Sequence, residues 1–386
     1  MTTIEPASAA EVSAVLARTC RERQRVWIQG GRTKAAWGLP PRVSDDDVVL
    51  SMTKLSEIVA HRHGDLTATV QAGATLDGLN RTLARHGQWL PLDPPWSDRA
   101  TVGGVVATND SGPRRHRYGA PRDLIIGVDI VRADGARAKA GGIVVKNVAG
   151  YDLSRLMTGS FGSLAVIVSA TFKLYPLPPA SRTVIVDCSL AQMRALLATL
   201  LGSQLTPSAM EVRLPPGRLL VRFETIDVAA DRQSASVVAL AEREHAQASV
   251  LRGEEEQHLW TGHGRMPWQG EGAIVKIAVL PTAVVPTVAW LTENGAGCEI
   301  VGRAGVGVLL ARIAGDVDAQ ARVIAELRKR IPAGQGSAVV VRGSGDLKSR
   351  VDVWGPIGDG LTAMRAIKQR FDPLGLLNPG VGPGGL

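Results

Sequence analysis

The chain has 386 residues, 45% of them hydrophobic and only 4% aromatic, and its 44 Lys and Arg against 36 Asp and Glu give a net charge of +8. That length sets an expectation of two or three domains with sizeable cores. The basic residues are scattered and aromatic stacking platforms are few, so no nucleic-acid partner is expected, and the positive balance suits an acidic partner, an anionic substrate or a membrane surface.

The first ten residues hold no basic stretch leading into an apolar core, and no 18 uncharged apolar residues run together, which predicts a soluble, unexported, cytoplasmic protein. Ser8 with Glu11 is a capping box for a helix whose apolar stripe is Val12, Val15 and Leu16. A strand at Arg25 to Ile28 ends in the glycine-rich run Gly30-Gly-Arg-Thr-Lys34. Strands are predicted at 48–52, 67–70, 124–132 and 164–174, with an Asp134-Gly135 hairpin turn. Thr75 caps a helix carrying Leu76, Leu79 and Leu83, stopped by Gly87. Pro176, Pro178 and Pro179 mark a boundary.

Beyond it the order repeats itself. The first pass is strand (from Val184), helix (190–201), strand (210–214), a Pro215-Pro216-Gly217 turn, strand (219–224) and helix (231–245). From Ala273 come strand, helix (283–294), strand (298–302), strand (307–313), helix (317–330) and strand (337–341). Two split β-α-β-β-α units predict a broad antiparallel sheet covered by helices on one face. A last helix from Ala363 leads into the tail F-D-P-L-G-L-L-N-P-G.

The chemistry-bearing residue types point in few directions. Cys20, Cys188 and Cys298 lack C-x-x-C spacing, which argues against an iron–sulfur or zinc site built by this chain, so no metal site is expected. His61 and His63 read as a surface pair. Gly358-Asp-Gly360-Leu-Thr-Ala363 matches a Rossmann glycine pattern but leaves no room for the rest of a βαβ unit, and reads as a helix-entry turn. Walker A, H-E-x-x-H and G-x-S-x-G motifs are absent from the sequence.

Three glycine-rich segments remain: 30–34; Thr101-Val-Gly-Gly-Val-Val-Ala-Thr-Asn-Asp-Ser-Gly112 with Arg114-Arg-His-Arg-Tyr-Gly119; and Lys146-Asn-Val-Ala-Gly-Tyr-Asp152, leading to Gly159-Ser-Phe-Gly162. Glycines let backbone amides approach a bulky anion, and successive amides in such turns make an anion-binding concavity. Each alone is also ordinary turn chemistry. Taken in order, with the ADG hairpin and the F-D-P-x-G-x-L-N-P-G tail, the set resembles the vanillyl-alcohol-oxidase or PCMH-type FAD-binding family over residues 1–178 and 371–380. The phrases Leu219-Leu-Val-Arg-Phe-Glu, Leu259-Trp260 and Ala273-Ile-Val-Lys-Ile-Ala-Val-Leu-Pro281 are most similar to the FAD-binding accessory subunits of bacterial glycolate oxidases.

The resemblance implies an α+β protein: a two-subdomain PCMH-type FAD-binding domain (1–178), a ferredoxin-like antiparallel sheet cap for substrate (179–350), and a C-terminal segment (351–386) returning to the FAD domain. It implies noncovalent FAD, since Thr33 and Lys34 stand where covalent members carry a first-loop histidine, with His116 as a second attachment point to consider. Amides of Gly30, Gly31, Arg32, Thr33 and Lys34, and of Val102, Gly103 and Gly104, would hold the pyrophosphate. Asn109, Gly112 and Tyr118 would border the isoalloxazine or ribityl chain, and Val166 and Ile167 would meet adenine through their backbone. Pro94, Thr101, Ala107, Thr108, Gly119, Lys146, Gly150, Tyr151, Gly162 and Asn378 complete the implied cofactor set. Arg114, Arg115 and Arg117 would neutralise phosphates, form a docking face, or simply be solvated.

The larger D-2-hydroxy-acid dehydrogenases of this family carry H-x-G-D-G-N-L-H for a divalent metal. Here the corresponding stretch, Gly334 to Arg342, has no histidine. Lys276, Arg222 and Arg342 are the catalytic-site candidates, cations to fix a substrate carboxylate, with Arg303 and Arg312 as further cations and His263 or Arg265 nearby; a strand lysine is equally a surface charge. No general base is assigned. The expected function is an FAD-binding subunit of a glycolate or D-lactate dehydrogenase complex, oxidising a 2-hydroxy acid and passing electrons to an iron–sulfur partner beside a larger homologous flavoprotein subunit, with peripheral association at the inner membrane face through that complex. The alternatives are a free-standing FAD-dependent hydroxy-acid or alcohol dehydrogenase and a subunit whose FAD is only structural.

Overall fold

The computed structural model describes residues 1–142, 151–295 and 297–386. The chain divides into one unit formed by Met1–Ser111, Gly119–Leu177 and Ile357–Leu386, and a second formed by Gly112–Tyr118 and Pro178–Pro356. No helix among the described residues is long and apolar enough to cross a membrane.

Unit one opens with β1 (Thr2–Ile4), α1 (Ala9–Glu22), β2 (Val26–Gln29) and β3 (Val48–Ser51). The three strands form a parallel sheet in the order β1-β3-β2. Ser8 caps α1 as its side chain accepts the Glu11 N–H, and the Glu11 carboxylate in turn accepts the Ala7 N–H. The stripe Val12 and Leu16 then packs on Val26 and Leu50, the apolar burial that fixes this helix on its sheet.

The second layer follows: β4 (Ile58–Arg62), β5 (Thr67–Gln71), α2 (Leu76–Ala84), β6 (Gln88–Trp89), α3 (Val102–Thr108), α4 (Arg115–Tyr118, in unit two), α5 (Pro121–Leu124), β7 (Ile125–Val131), β8 (Arg137–Gly141), α6 (Leu153–Met157), β9 (Val166–Lys173) and β10 (Tyr175–Pro176). Five of the strands make an antiparallel sheet in the order β4-β5-β9-β7-β8. Leu76, Leu79 and Leu83 of α2 and Val102, Val105 and Val106 of α3 share a core with Val70, Val128 and Phe172 of this sheet. The glycine-rich run at 101–108 is therefore a short helix, not an open loop. Thr101 caps it, its side chain accepting from Gly104, and Val105 and Val106 bury its inner face.

Unit two contains β11 (Ala180–Asp187), α7 (Leu190–Leu201), β12 (Ala209–Leu214), β13 (Arg218–Thr225), α8 (Asp227–Arg243), β14 (Gln247–Leu251), α9 (Gly253–Arg265), β15 (Ala273–Ala278), α10 (Val284–Asn294), β16 (Glu299–Arg303), β17 (Val308–Ile313), α11 (Val317–Arg330), β18 (Ser337–Arg342) and α12 (Gly345–Arg350). Its eight strands form one antiparallel sheet, β14-β11-β13-β12-β16-β17-β15-β18. The halves are mirror orders of one another, joined where β12 pairs with β16, as two copies of one supersecondary unit meeting at equivalent strands would be. The sequence repeat is thus a structural repeat, with β14 completing the first copy as β18 completes the second.

Alternation along this sheet separates two faces. Leu219, Val221 and Phe223 of β13 are fully buried on one, and α8 packs on β11 and β13. The opposite face carries Thr183, Glu211, Arg222, Glu224 and Arg303, all buried as well. Buried charges in that density must be paired, and their pairing is described below. Finally α13 (Gly360–Phe371) leads the chain back along β2 in unit one, where Val26 donates to Leu376 O and Asn378 donates to Val26 O.

Candidate cofactor site

A cavity of about 380 Å³ opens in unit one, within the size range of small-molecule sites. Its walls come from the 30–34 loop, from Thr101, Gly104 and Thr108 along α3, from Gly162, and from Ile167 on β9. Sequence reasoning missed the apolar part contributed by Trp27, Trp37, Leu39 and Met52. Those residues carry no motif; only the fold collects them.

The 30–34 loop has the form of an anion cradle. The N–H groups of Gly30, Gly31, Arg32, Thr33 and Lys34 have no hydrogen-bond acceptor among the described residues. Arg32 sits at φ 57°, the left-handed conformation that turns successive amides toward one concavity. Gly30 and Gly31 are required by contact: an added Cβ would overlap Thr101 Oγ1 at the first and the Arg99 carbonyl at the second. The loop is thereby seated on the start of α3.

The second set of amides does not serve that purpose. Val102 N–H donates to Ala74 O at 2.8 Å, Gly103 N–H to Ala72 O at 2.8 Å, and Gly104 N–H to Thr101 Oγ1 at 3.4 Å. The Val102 and Gly103 N–H groups, expected as pyrophosphate donors, are thus committed to short internal bonds, and that of Gly104 to a longer one. Gly103 is glycine because a Cβ would come within 2.7 Å of the Ala72 side chain; Gly104 meets only Thr101 Oγ1, at 3.2 Å, and keeps its side of the cavity clear.

Three further contacts shape the site. Lys34 Nζ lies 3.1 Å from Asp110 Oδ2, with both side chains more than nine-tenths buried, and donates to Thr33 Oγ1 at 3.0 Å. Asn109, the αL cap of α3 at φ 46°, has a buried Oδ1 that accepts no hydrogen bond from the described residues. Asn378 Oδ1 accepts the Ile28 N–H at 2.8 Å while its Nδ2 donates to Phe161 O at 2.7 Å, tying β2 to the Gly159–Gly162 turn. The tail behind it is fixed by Lys368, whose Nζ donates to Ser163 O, Asp372 Oδ2 and Leu377 O.

The remaining predicted cofactor residues scatter. Thr101, Ala107, Thr108, Gly162, Ile167 and Asn378 line the cavity with the 30–34 loop. Pro94 and Val166 are buried away from its lining, the Val166 side chain in the core beneath α1. Tyr151 is 94% exposed, and Gly119 sits at φ 83° packed on Asp123, outside the lining. Lys146 and Gly150 lie outside the described residues. Gly112 and Tyr118 belong to unit two.

In unit two the segment 112–118 is held by the charged face of the sheet. Arg114 grips Glu224 in bidentate fashion, Nε to both carboxylate oxygens at 3.1 Å and Nη2 to Oε1 at 2.7 Å. Arg114 is therefore neither a solvated charge nor a phosphate ligand, which corrects that expectation; Arg117 donates to Thr206 O. His116 packs half-buried against Gly305, and burial lowers its pKa although Glu211 opposes this. As a flavin attachment point it is enclosed in unit two.

The three catalytic-site candidates differ in what occupies them. Arg222 Nε donates to Glu256 Oε1 at 2.9 Å and its Nη2 lies 3.6 Å from Glu224, so its charge is compensated by two buried carboxylates. Arg342 donates to the Trp268 and Gly270 carbonyls, pinning the turn before β15; burial first, and Arg312 second, lower its pKa. Lys276 stands half-buried on β15, opposite Leu310 and Val339. The sequence also held no sign that His263 Nε2 pairs with Glu211 Oε2 at 2.8 Å, both side chains 1% exposed. Among the described residues no cluster of His, Cys, Asp and Glu is arranged to hold a metal.

Known proteins place this geometry. Residues 2–153 match the family described as FAD binding domain, and residues 355–381 match the C-terminal domain of FAD-linked oxidases. The chain is 27% identical over 417 residues to glycolate oxidase subunit GlcD of Bacillus subtilis, spanning 98% of this chain and 87% of that protein. It is 38% identical over 172 residues to glycolate oxidase subunit GlcE of Escherichia coli, covering 44% of this chain and 48% of that one. With the D-lactate dehydrogenase of Archaeoglobus fulgidus it shares 37% over 173 residues, 45% of this chain and 38% of the relative. Solved structures of an alkyldihydroxyacetonephosphate synthase superpose with a TM-score of 0.76 at 16% identity, covering 98% of this chain and 75% of that one. The glucooligosaccharide oxidase of Acremonium strictum, whose FAD is cysteinyl- and histidyl-linked, does so with 0.70 at 13%, over 97% and 90%.

Proposed function

We propose that unit one is an FAD-binding domain of the FAD-linked oxidase kind and that this chain is the FAD-binding subunit of a 2-hydroxy-acid dehydrogenase, acting on glycolate or D-lactate. The observation that carries this is the cradle at 30–34: five unspent amides beside a cavity lined by Gly104, Thr108 and Ile167. A pyrophosphate needs several donors and no side chain in the way: Gly30 and Gly31 would supply donors, and Gly104 leaves its side of the cavity clear. The relatives named for glycolate and D-lactate oxidation supply the substrate class.

FAD, when bound, supplies an acceptor for a hydride equivalent from the substrate carbon. The work left to the protein is to bind and orient. Amides 30–34 would fix the pyrophosphate, Ile167 and Trp37 would exclude water from the apolar part of the cofactor, and Asn378 would keep the cradle and the Gly162 turn in register. Noncovalent attachment is favoured by the first loop, where Thr33 and Lys34 replace the attachment histidine and Lys34 is engaged with Asp110. On the sheet of unit two, Lys276 and Arg342 remain the cations offered to a substrate carboxylate.

The accessory role, with a larger flavoprotein subunit and an iron–sulfur subunit as partners and peripheral placement at the inner membrane face through them, rests on the missing H-x-G-D-G-N-L-H run and on the GlcE-like relative. The full-length alignment with GlcD favours the second reading, a free-standing dehydrogenase. Anaerobic mixing separates them. The purified chain is expected to be yellow and to be reduced slowly or not at all by glycolate or D-lactate until the larger subunit is added. Rapid bleaching of the lone chain would overturn the accessory role, and a colourless chain that takes up no added FAD would overturn the cofactor assignment.

A further inference from the structure

Resting on the cofactor reading of unit one, we infer that Asp110 is a positioning residue of that site, and that Lys34 serves as its clasp partner rather than as a phosphate-reading cation. A lysine in a glycine-rich loop beside a cradle of amides would ordinarily be assigned to the phosphate as a point charge. Here the ammonium is taken: Asp110 Oδ2 at 3.1 Å, Thr33 Oγ1 at 3.0 Å, and both partners of the ion pair more than nine-tenths buried.

The clasp has a mechanical reason. The 30–34 loop lies along α3 and is attached to it at both ends. At the start, Gly30 and Gly31 fit against Thr101 and Arg99 so closely that neither tolerates a Cβ. At the far end Lys34 reaches Asp110, the first residue after the αL cap Asn109, and Asp110 is itself fixed by its N–H bond to Val105 O at 3.2 Å. A loop held at two points keeps its N–H groups in one arrangement before any anion arrives, so a ligand need not bear the cost of ordering them. Without the clasp the loop would lose its attachment at the far end of α3 and keep the glycine seat at the start.

The two roles for Lys34 predict opposite signs for one substitution. The test measures binding of FAD and of ADP to the stripped full-length chain by calorimetry, for wild type, Asp110→Asn, Lys34→Met and the double variant. The clasp predicts about tenfold weaker FAD and ADP binding in Asp110→Asn, about the same in Lys34→Met, and no further loss on combining them, because contacts sharing one interaction are not additive. If Asp110→Asn binds ADP as tightly as wild type or more tightly while Lys34→Met weakens it, Lys34 reads phosphate and the inference is overturned. Additive losses, or none, overturn it as well. The double variant contains no stranded charge and should fold even where a single one does not; wild-type affinity in it alone refutes the clasp. Failure of the wild-type chain to bind either ligand overturns the cofactor reading, and the inference with it.

Discussion

Replacing Glu224 by Gln tests whether the charged face of the second sheet is held together by its charges. Burial opposes ionisation of Glu224, yet Arg114 and then Arg222 hold its carboxyl down to about 2 against an ordinary value of 4.5. At about 1.4 kcal/mol per pKa unit that gap corresponds to about 3 kcal/mol of stability at neutral pH. A carboxyl with a depressed folded-state pKa contributes fully above its unfolded value of 4.5, and the contribution drains away as pH falls toward 2. Glu224→Gln should therefore cost about 3 kcal/mol at pH 7, and the gap from wild type should narrow steadily between pH 4.5 and 3. Urea unfolding followed by far-ultraviolet circular dichroism at pH 7, 4.5 and 3 measures this, since other carboxyls titrate equally in both proteins and cancel. Arg114→Met combined with Glu224→Gln should lose less than Glu224→Gln alone, because no guanidinium is left stranded against the sheet. A penalty that stays constant from pH 7 to 3 would mean shape, not charge, makes Glu224 matter.

Two other outcomes are expected. Gly31→Ala drives a Cβ into the Arg99 carbonyl, a backbone atom unable to move cheaply, so the protein should fold with unchanged circular dichroism and emerge with under a tenth of the wild-type flavin absorbance. Burial pushes the Cys188 thiol up to about 11 and the Cys298 thiol up to about 12, so at pH 8 the native chain should release colour from a disulfide reagent for Cys20 alone, with the other two reacting only after denaturation.

What could be read from the chain in advance was whatever is written locally. Helix α7 announces itself through Ser189 and Gln192, which do form a reciprocal cap, and α11 through Asp316 and its basic last turn. The repeat after residue 180 was visible because strand and helix periodicities recur in order. Three elements were not legible for physical reasons. Gln247–Leu251 is a five-residue edge strand with one partner, too short for its alternation to stand out. Gly253–Arg265 carries Gly262 and Gly264, which depress helix propensity. The run at 102–108 has a glycine pair that suggests a loop, yet Thr101 caps it and Val105 and Val106 bury it, so packing overrides propensity. Partners distant in sequence were beyond reach altogether: Glu224 is 110 residues from the arginine it neutralises.

The stretch from Thr101 to Tyr118 resolves into a scaffold, and this changes which substitutions should matter. Thr101 seats Gly30, Gly103 closes on Ala72, Asp110 clasps Lys34, and Arg114 is locked to Glu224. Of these four contacts only that of Gly103 uses a glycine N–H, and it spends it inward on Ala72 O; the other three are made by side chains. The unspent amides are instead at 30–34, on a loop whose own composition says little beyond flexibility. A glycine pair in a cofactor motif thus has two distinct physical meanings, room for an anion or room for a neighbouring strand. The hydrogen-bond partner of its N–H decides between them: Gly103 donates inward to Ala72, while Gly30 and Gly31 donate to no atom among the described residues. Affinity for a phosphate-bearing cofactor should follow the geometry of the second pair directly, and follow 101–118 only through the contacts that hold that pair in place.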